Sequence, residues 1–187
     1  MLQLNFNPFP TLYTERLVLR EIVMDDADNF FAIRSNADIM AAIDRDPLSS
    51  IDEIKKFIKL IKSNQLSNSG IAWAICLKNA NLMIGHFGFH RIDKVNHRAE
   101  IGYALLPSFH GLGYASEGIQ AVLNYGFTKF NFHSIEADIN PKNTNSIKLV
   151  ERNGFVKEAH FKENFYFNGE FLDSAIYSLL KRNYLKR

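Results

Sequence analysis

The stretch that most restricts the fold is HGLGYASEG, residues 110–118. Before it lies an apolar segment, RAEIGYALLP (98–107), which reads as a strand stopped by Pro107. After it Ala115, Ile119, Val122, Leu123, Phe127 and Phe130 recur with an approximate 3.6-residue period, which predicts a helix of roughly 15 residues. A strand therefore enters a helix through a turn with very little side chain. The first amides of a helix have no partner within it, and the helix dipole adds partial positive charge there. Gly111 and Gly113 let a ligand approach that backbone with no Cβ between. The pattern predicts an anion site suited to phosphate or pyrophosphate. The competing reading is a tight strand–helix turn that binds nothing.

Two familiar phosphate loops do not fit the spacing. A dinucleotide-binding fingerprint needs a third glycine where Ser116 stands. A mononucleotide loop needs Lys-Ser/Thr after its last glycine, whereas GYASEG runs on into Ile119–Gln120. Neither nucleotide hydrolysis nor hydride transfer is supported.

Around this turn, strands are expected at 17–23, 71–78, 82–92, 98–107 and 133–140, with two more between 155 and 181 joined near Asn168–Gly169. Helices are expected at 25–35, capped by Asp25 or Asp26, from Ser50 to Ile61 behind a Ser50–Glu53 capping box, and at 143–155. SNQLSNSG (63–70) reads as a loop and KRNYLKR as a solvated end. Strands and helices mix without strict alternation, so the expected class is a mixed α/β sheet in a single domain, residues 1–187. A net charge of +2 gives no argument for nucleic acid or an anionic membrane. No apolar run approaches the roughly 20 residues of a membrane span. Asn5, Asn7, Pro8 and Pro10 interrupt the apolar start, which argues against a secretory leader. Cys76 is the one cysteine, so no intrachain disulfide forms, and a cytoplasmic setting is expected. The six histidines show no metal-ligand spacing as a set, so no metal is expected.

EIGYALLPSFHGLGYASEG, followed later by NTNSIKLVERNGF, resembles the acyl-CoA signature of the GNAT N-acetyltransferases. The general turn there is Gln/Arg-x-x-Gly-x-Gly/Ala; residues 110–115 match it except at His110. The second stretch, with Asn143, Ser146, Gly154 and Phe155, is similar to the Asn-x-x-Ser … Gly-Phe block of the RimJ/RimL-type enzymes, which acetylate protein N-terminal amines. TERLVLR (14–20) and YFNGEFLDSAIYSLL (166–180) resemble further blocks of that branch, so the likeness runs from about residue 14 to 180. It implies the GNAT acyl-CoA N-acyltransferase fold, a central mixed sheet splayed open and flanked by helices, with acetyl-CoA as co-substrate in the split. The amides of Gly111, Leu112, Gly113, Tyr114, Ala115 and Ser116 would then hold the pyrophosphate, beside His110, whose side chain has no assigned role. The backbone at Tyr103 and Leu105 would meet the pantetheine like an added strand.

The implied reaction needs a base, an oxyanion donor and a donor to the leaving thiolate. Glu100, flanked by Ala99 and Ile101, is the candidate base, with a pKa expected to be raised by apolar neighbours; otherwise it pairs with Arg98 or His97 on a solvated face. Asn143 is a candidate for holding CoA or a water, and Ser146 for donating to sulfur, although both also fit helix capping. Many GNAT enzymes carry a tyrosine acid where Val150 stands. Glu117 fits a role at the helix opening. The acceptor pocket is expected to use Trp73, His86, Phe87 and Tyr166, with Arg45, Asp46 and His90 as further candidates. The acceptor is a primary amine, expected by the resemblance to be a protein N-terminus such as that of a ribosomal protein; a polyamine, aminoglycoside or amino acid is the alternative. A non-catalytic acyl-CoA-binding module and an RNA-associated protein are competing classes. Both a monomer and a homodimer fit the sequence.

Overall fold

The computed structural model describes residues 1–186. Eight strands form one sheet: β1 (Leu12–Tyr13), β2 (Leu17–Glu21), β3 (Ile71–Leu77), β4 (Met83–Asp93), β5 (Arg98–Leu105), β6 (Ser134–Ile139), β7 (Val156–Phe167) and β8 (Glu170–Leu180). Their order is β1-β2-β3-β4-β5-β6-β8-β7. All neighbours are antiparallel except β5 and β6, which are parallel. The helices are α1 (Ala27–Arg34), α2 (Ala37–Ala42), α3 (Ile51–Leu66), α4 (Tyr114–Thr128), α5 (Thr144–Arg152) and α6 (Lys181–Tyr184). This is the mixed sheet expected from the sequence.

Strand alternation sorts the core into two layers. Ile71, Trp73, Ile75, Phe87 and Phe89 turn to the face covered by α4 and α5, packing on Ile119, Val122, Phe127 and Val150. Ala74, Cys76, Met83 and Ala104 turn to the other face, against Phe30, Ile33, Ile54 and Ile58 of α1 and α3. Cys76 is buried there, and burial pushes its thiol up to about 11, the chemistry of a small core residue rather than an acyl carrier.

The departures from the expected elements are local. Neither Asp25 nor Asp26 caps α1 with its side chain; Asp26 is buried in a two-pronged pair with Arg20, 2.8 Å on each prong, and accepts from the Val23 amide. α2 was not expected: six residues give no readable period, and Asn36 sets it by accepting from the Ile39 amide at 3.0 Å. α3 runs five residues past Ile61, into the expected loop, because Gln65 still faces inward and is buried. In the capping box, Glu53 reaches the Ser49 amide rather than that of Ser50. The chain end is not wholly solvated: Tyr184 lies 5.0 Å from the Phe127 ring, while Arg187 falls outside the described residues.

The β5–β6 pair forks. Register pairs run Arg98–Ser134, Ala99–Ile135 and Glu100–Glu136, and stop there. From Ile101 to Leu105, β5 is paired with β4 alone. The Leu106 amide bonds to Ile84 on the β4 side. By alternation, the backbone groups of Ile101, Tyr103 and Leu105 therefore face the open side of the fork.

Candidate active site

At one end of the fork lies the glycine turn. Gly111 has φ +74° and Gly113, the residue before α4, has φ +83°, the left-handed region in which a Cβ is strained. Among the described residues, the amides from Gly111 to Ser116 donate to no acceptor of the protein; that of Glu117 is the first to bond, to the Gly113 carbonyl. A Cβ on Gly111 would meet nothing within 4 Å. Six free amides, an open approach and a helix N-terminus fit the diphosphate of a coenzyme A ester.

The acidic residue in this turn is neutralised locally. Glu117 takes the Thr14 hydroxyl at 2.6 Å, the Arg16 amide at 2.8 Å and Arg16 Nε at 2.6 Å. Burial pushes its carboxyl up, but these partners outweigh burial and hold it below the ordinary glutamate value. Arg16 also donates to the Leu112 carbonyl and lies over the Tyr114 ring, so it braces the turn from outside. Arg16 was not singled out from the sequence, although it stands in TERLVLR. His110 now has a place: its Nε2 donates to the Leu105 carbonyl at 2.8 Å. That bond takes one lone pair of the carbonyl, and the Leu105 amide remains on the open edge.

Glu100 sits at the fork, the last β5 residue paired with β6. It is buried, with 8% of its surface exposed. Its partners are not Arg98 or His97 but His90 Nε2 at 2.9 Å and Arg91 NH1 at 2.8 Å. Arg98 pairs with Glu136. Burial raises the Glu100 pKa, but the hydrogen bonds and charges of His90 and Arg91 together win and hold it below the usual carboxylate range. The expected raised pKa is therefore corrected. Next to it on β6, Asp138 goes the other way: partial burial first, then the negative charge of Glu100, push its carboxyl up.

On the α1–α3 side of the fork a cavity of about 800 Å³ opens. Its lining includes Glu100, Asp138, Arg34, Arg45, Phe57 and His86, together with Tyr103, Asn143 and Ser146. His86 and His90 both line it, as their even spacing on one strand allows. Burial, then the charges of Arg34 and His90, lower the His86 pKa to about 3, so its imidazole is neutral. Trp73 and Phe87 do not belong to the cavity. They point to the opposite face, 0% and 1% exposed, with Trp73 Nε1 donating to the Pro10 carbonyl at 2.7 Å. Tyr166 packs on Phe171 near the tip of the exposed β7–β8 hairpin and lies outside the cavity lining.

Asn143 caps α5, accepting from the Ser146 amide at 3.0 Å, and its Nδ2 donates to the Ala42 carbonyl at 2.7 Å. It ties α5 to the end of α2. The Ser146 hydroxyl has no partner among the described residues. The Tyr103 hydroxyl lies 3.5 Å from the Ser146 carbonyl, and burial pushes its pKa up to about 12, so it stays protonated. Val150, on the inner face of α5, is fully buried and offers no donor.

A fork whose open edge leads to free helix amides on one side and a polar cavity on the other defines an acyl-transfer enzyme of the acetyltransferase type. An "Acetyltransferase (GNAT) domain" model matches residues 16–156, and the chain belongs to the GNAT acetyltransferase family. It is an acetyl-CoA-dependent N-acetyltransferase. It is 37% identical over 174 residues to the uncharacterized N-acetyltransferase p20 of Bacillus licheniformis, covering 93% of this chain and 98% of that one. The structure of spermidine N-acetyltransferase from Vibrio cholerae in complex with CoA and spermine superposes with a TM-score of 0.81 at 27% identity, covering 91% of this chain and 98% of that one. The putative ribosomal N-acetyltransferase YdaF of Bacillus subtilis is 31% identical over only 102 residues, 54% of this chain and 56% of that one. Among the described residues no group of three or more His, Cys, Asp or Glu could hold a metal ion, and no helix is long and apolar enough to cross a membrane.

Proposed function

We propose that this enzyme acetylates the primary amine of a small molecule, held in the cavity at the β5–β6 fork. The observation that carries this reading is the position of Glu100. It stands where the strands part, between the open β5 edge and a cavity whose size suits a small ligand. For the protein N-terminus expected from the sequence, the putative ribosomal N-acetyltransferase YdaF is similar over about half its length, whereas the spermidine N-acetyltransferase of Vibrio cholerae is similar over nearly all of its length at 27% identity.

Acetyl-CoA, when bound, supplies the acetyl group as a thioester: the amine nitrogen forms the new C–N bond, the C–S bond breaks, the amine loses a proton and the sulfur leaves as a thiolate. The amides of Gly111–Ser116 bind the diphosphate. The free edge at Tyr103 and Leu105 orients the pantetheine arm. Asp138 accepts the amine proton at its carboxylate, since Glu100 is already committed to His90 and Arg91. Glu100 holds negative potential at the fork and so attracts the ammonium form. The uncommitted Ser146 hydroxyl and the protonated Tyr103 hydroxyl are the donors available to the departing sulfur.

The test is a panel of small amines and N-terminal peptides, followed by thiol release and intact mass. The expected result is one thiol released per acetylated small amine. Transfer to peptides alone overturns the small-molecule reading, and CoA binding without transfer to any acceptor overturns the catalytic assignment of the cavity.

A further inference from the structure

Two buried side-chain polar atoms in the described residues have no hydrogen-bond partner: Arg34 Nε and His86 Nδ1. Both residues line the acceptor cavity. The Arg34 guanidinium forms no ion pair and no hydrogen bond with any described residue; it lies over the Phe57 ring, 5.0 Å from the centroid. Burial first, and then the positive charge of Arg45, lower its pKa. Arg45 lies at the rim, 5.8 Å from the Phe165 ring, and is likewise without an acidic partner.

This arrangement is unfavourable for the protein alone. A partly buried cation without a partner leaves part of its desolvation uncompensated, and a second cation beside it adds repulsion. Cation–π contact offsets a part of this. The planar fork of a guanidinium matches a carboxylate in two parallel hydrogen bonds. Neutral His86, in the tautomer that carries its proton on Nδ1, offers a third donor in the same region. Four acids line the cavity, and none of them bonds to Arg34: Glu100 is paired with His90 and Arg91, Asp173 with His160, and Asp44 accepts from Asn140 Nδ2, while Asp138 lies on β6 beyond the last β5–β6 pair.

We propose that the acceptor is a small amine that also carries a carboxylate, with the carboxylate on Arg34 and the amine toward Glu100 and Asp138. The proposal rests on the small-molecule reading above and narrows it. A polyamine would place a second ammonium beside Arg34 and Arg45. Spermine binding by the Vibrio cholerae neighbour is therefore not expected to extend to this chain.

The test compares matched acceptors on the full-length enzyme: amino acids, the same amino acids as carboxamides, and spermidine. The amide's amine is the less basic of the two, so intrinsic reactivity favours the amide, and a preference for the acid reports recognition. The expected result is a kcat/KM at least tenfold higher for the acid than for its amide or spermidine. Arg34→Gln is expected to lower kcat/KM for the acid by about 10–100-fold more than for the amide, the scale of one charge-assisted hydrogen-bond pair. Arg34→Lys is expected to restore part of the difference. Two further readouts separate this from a structural role. Calorimetric titration of the CoA-loaded protein with the amino acid is expected to lose its heat in Arg34→Gln, and the melting temperature is not expected to fall. Preference for the amide or for spermidine overturns the proposal and leaves the small-molecule reading standing, as does an equal loss on acid and amide in Arg34→Gln. Failure to acetylate any small amine overturns both.

Discussion

Gly113→Ala probes the diphosphate cradle directly. Gly113 has φ +83°, and an alanine held there costs about 1–2 kcal/mol in backbone strain. Its Cβ would also lie 3.2 Å from Arg16 NH2. That atom ends a flexible side chain, so it yields, but only by disturbing the bonds that Arg16 makes to Glu117 and the Leu112 carbonyl. For a chain of this size about 1 kcal/mol moves the melting point by roughly 2–4 °C, so a fall of about 2–8 °C is expected. The free amides shift with the turn. Loss of one hydrogen bond to a charged group is worth about 1.5–3 kcal/mol, so CoA should bind about 10–100-fold more weakly. Gly111→Ala is the comparator. Its Cβ meets no protein atom, so folding suffers strain alone, yet the added methyl enters the space through which a ligand approaches those amides. The assay is calorimetric titration with CoA and, in parallel, with pantetheine, which lacks the phosphates. Both variants should weaken CoA and spare pantetheine. CoA affinity within twofold of the parent in both variants, or equal losses for CoA and pantetheine, would refute the placement of the diphosphate at this turn.

Three other outcomes follow from the same structure. Glu100 has a folded pKa below its unfolded value of about 4.3. Its contribution to stability is therefore present above that value and is lost as pH falls through the lower folded pKa; Glu100→Gln should lower the melting temperature at pH 7 and flatten its decline below about pH 4.5, read by melting scans across pH. Asp138 has the opposite sign: its pKa is raised, so its ionised form is unfavourable to the fold above the unfolded value. Asp138→Asn should raise the melting temperature at pH 7 while lowering kcat by about 10²–10⁴-fold and removing the acid limb of the rate profile; an unchanged kcat would remove Asp138 as base. In Gly118→Ala the new Cβ would stand 2.7 Å from Phe87 Cε2 inside the core. Overpacking of about 1–3 kcal/mol exceeds the roughly 1 kcal/mol gained in helix propensity, and Phe87→Leu in the same chain should recover part of the loss, as denaturant titration will show.

Much of the ligand side was legible because it is local in sequence. A glycine turn between Pro107 and a periodic helix fixes free amides whatever the rest of the chain does, and Asn143 followed by Ser146 fixes a helix start. Glu100 could be picked out because its strand neighbours are apolar. Its electrostatics could not be read. His90 and Arg91 are consecutive, and in a regular strand they would face opposite sides of the sheet. A register shift after His90, with Arg91 at φ +46°, turns both onto Glu100 from the neighbouring strand.

The acceptor side was mostly decided by tertiary structure. Trp73 and Phe87 look like pocket aromatics until strand register assigns their face, and that face belongs to the core beneath α4. Arg34 reads as an ordinary basic residue in the last turn of a helix, a position that usually points into water. Only the packing of α1 and α3 over the open part of the sheet buries its Nε without a partner. Backbone turns are set by residues adjacent in the chain, so the sequence determined where unbonded helix amides gather. Charge balance in a cavity depends on which distant segments meet, so only the folded chain decided what the other end of the site lacks.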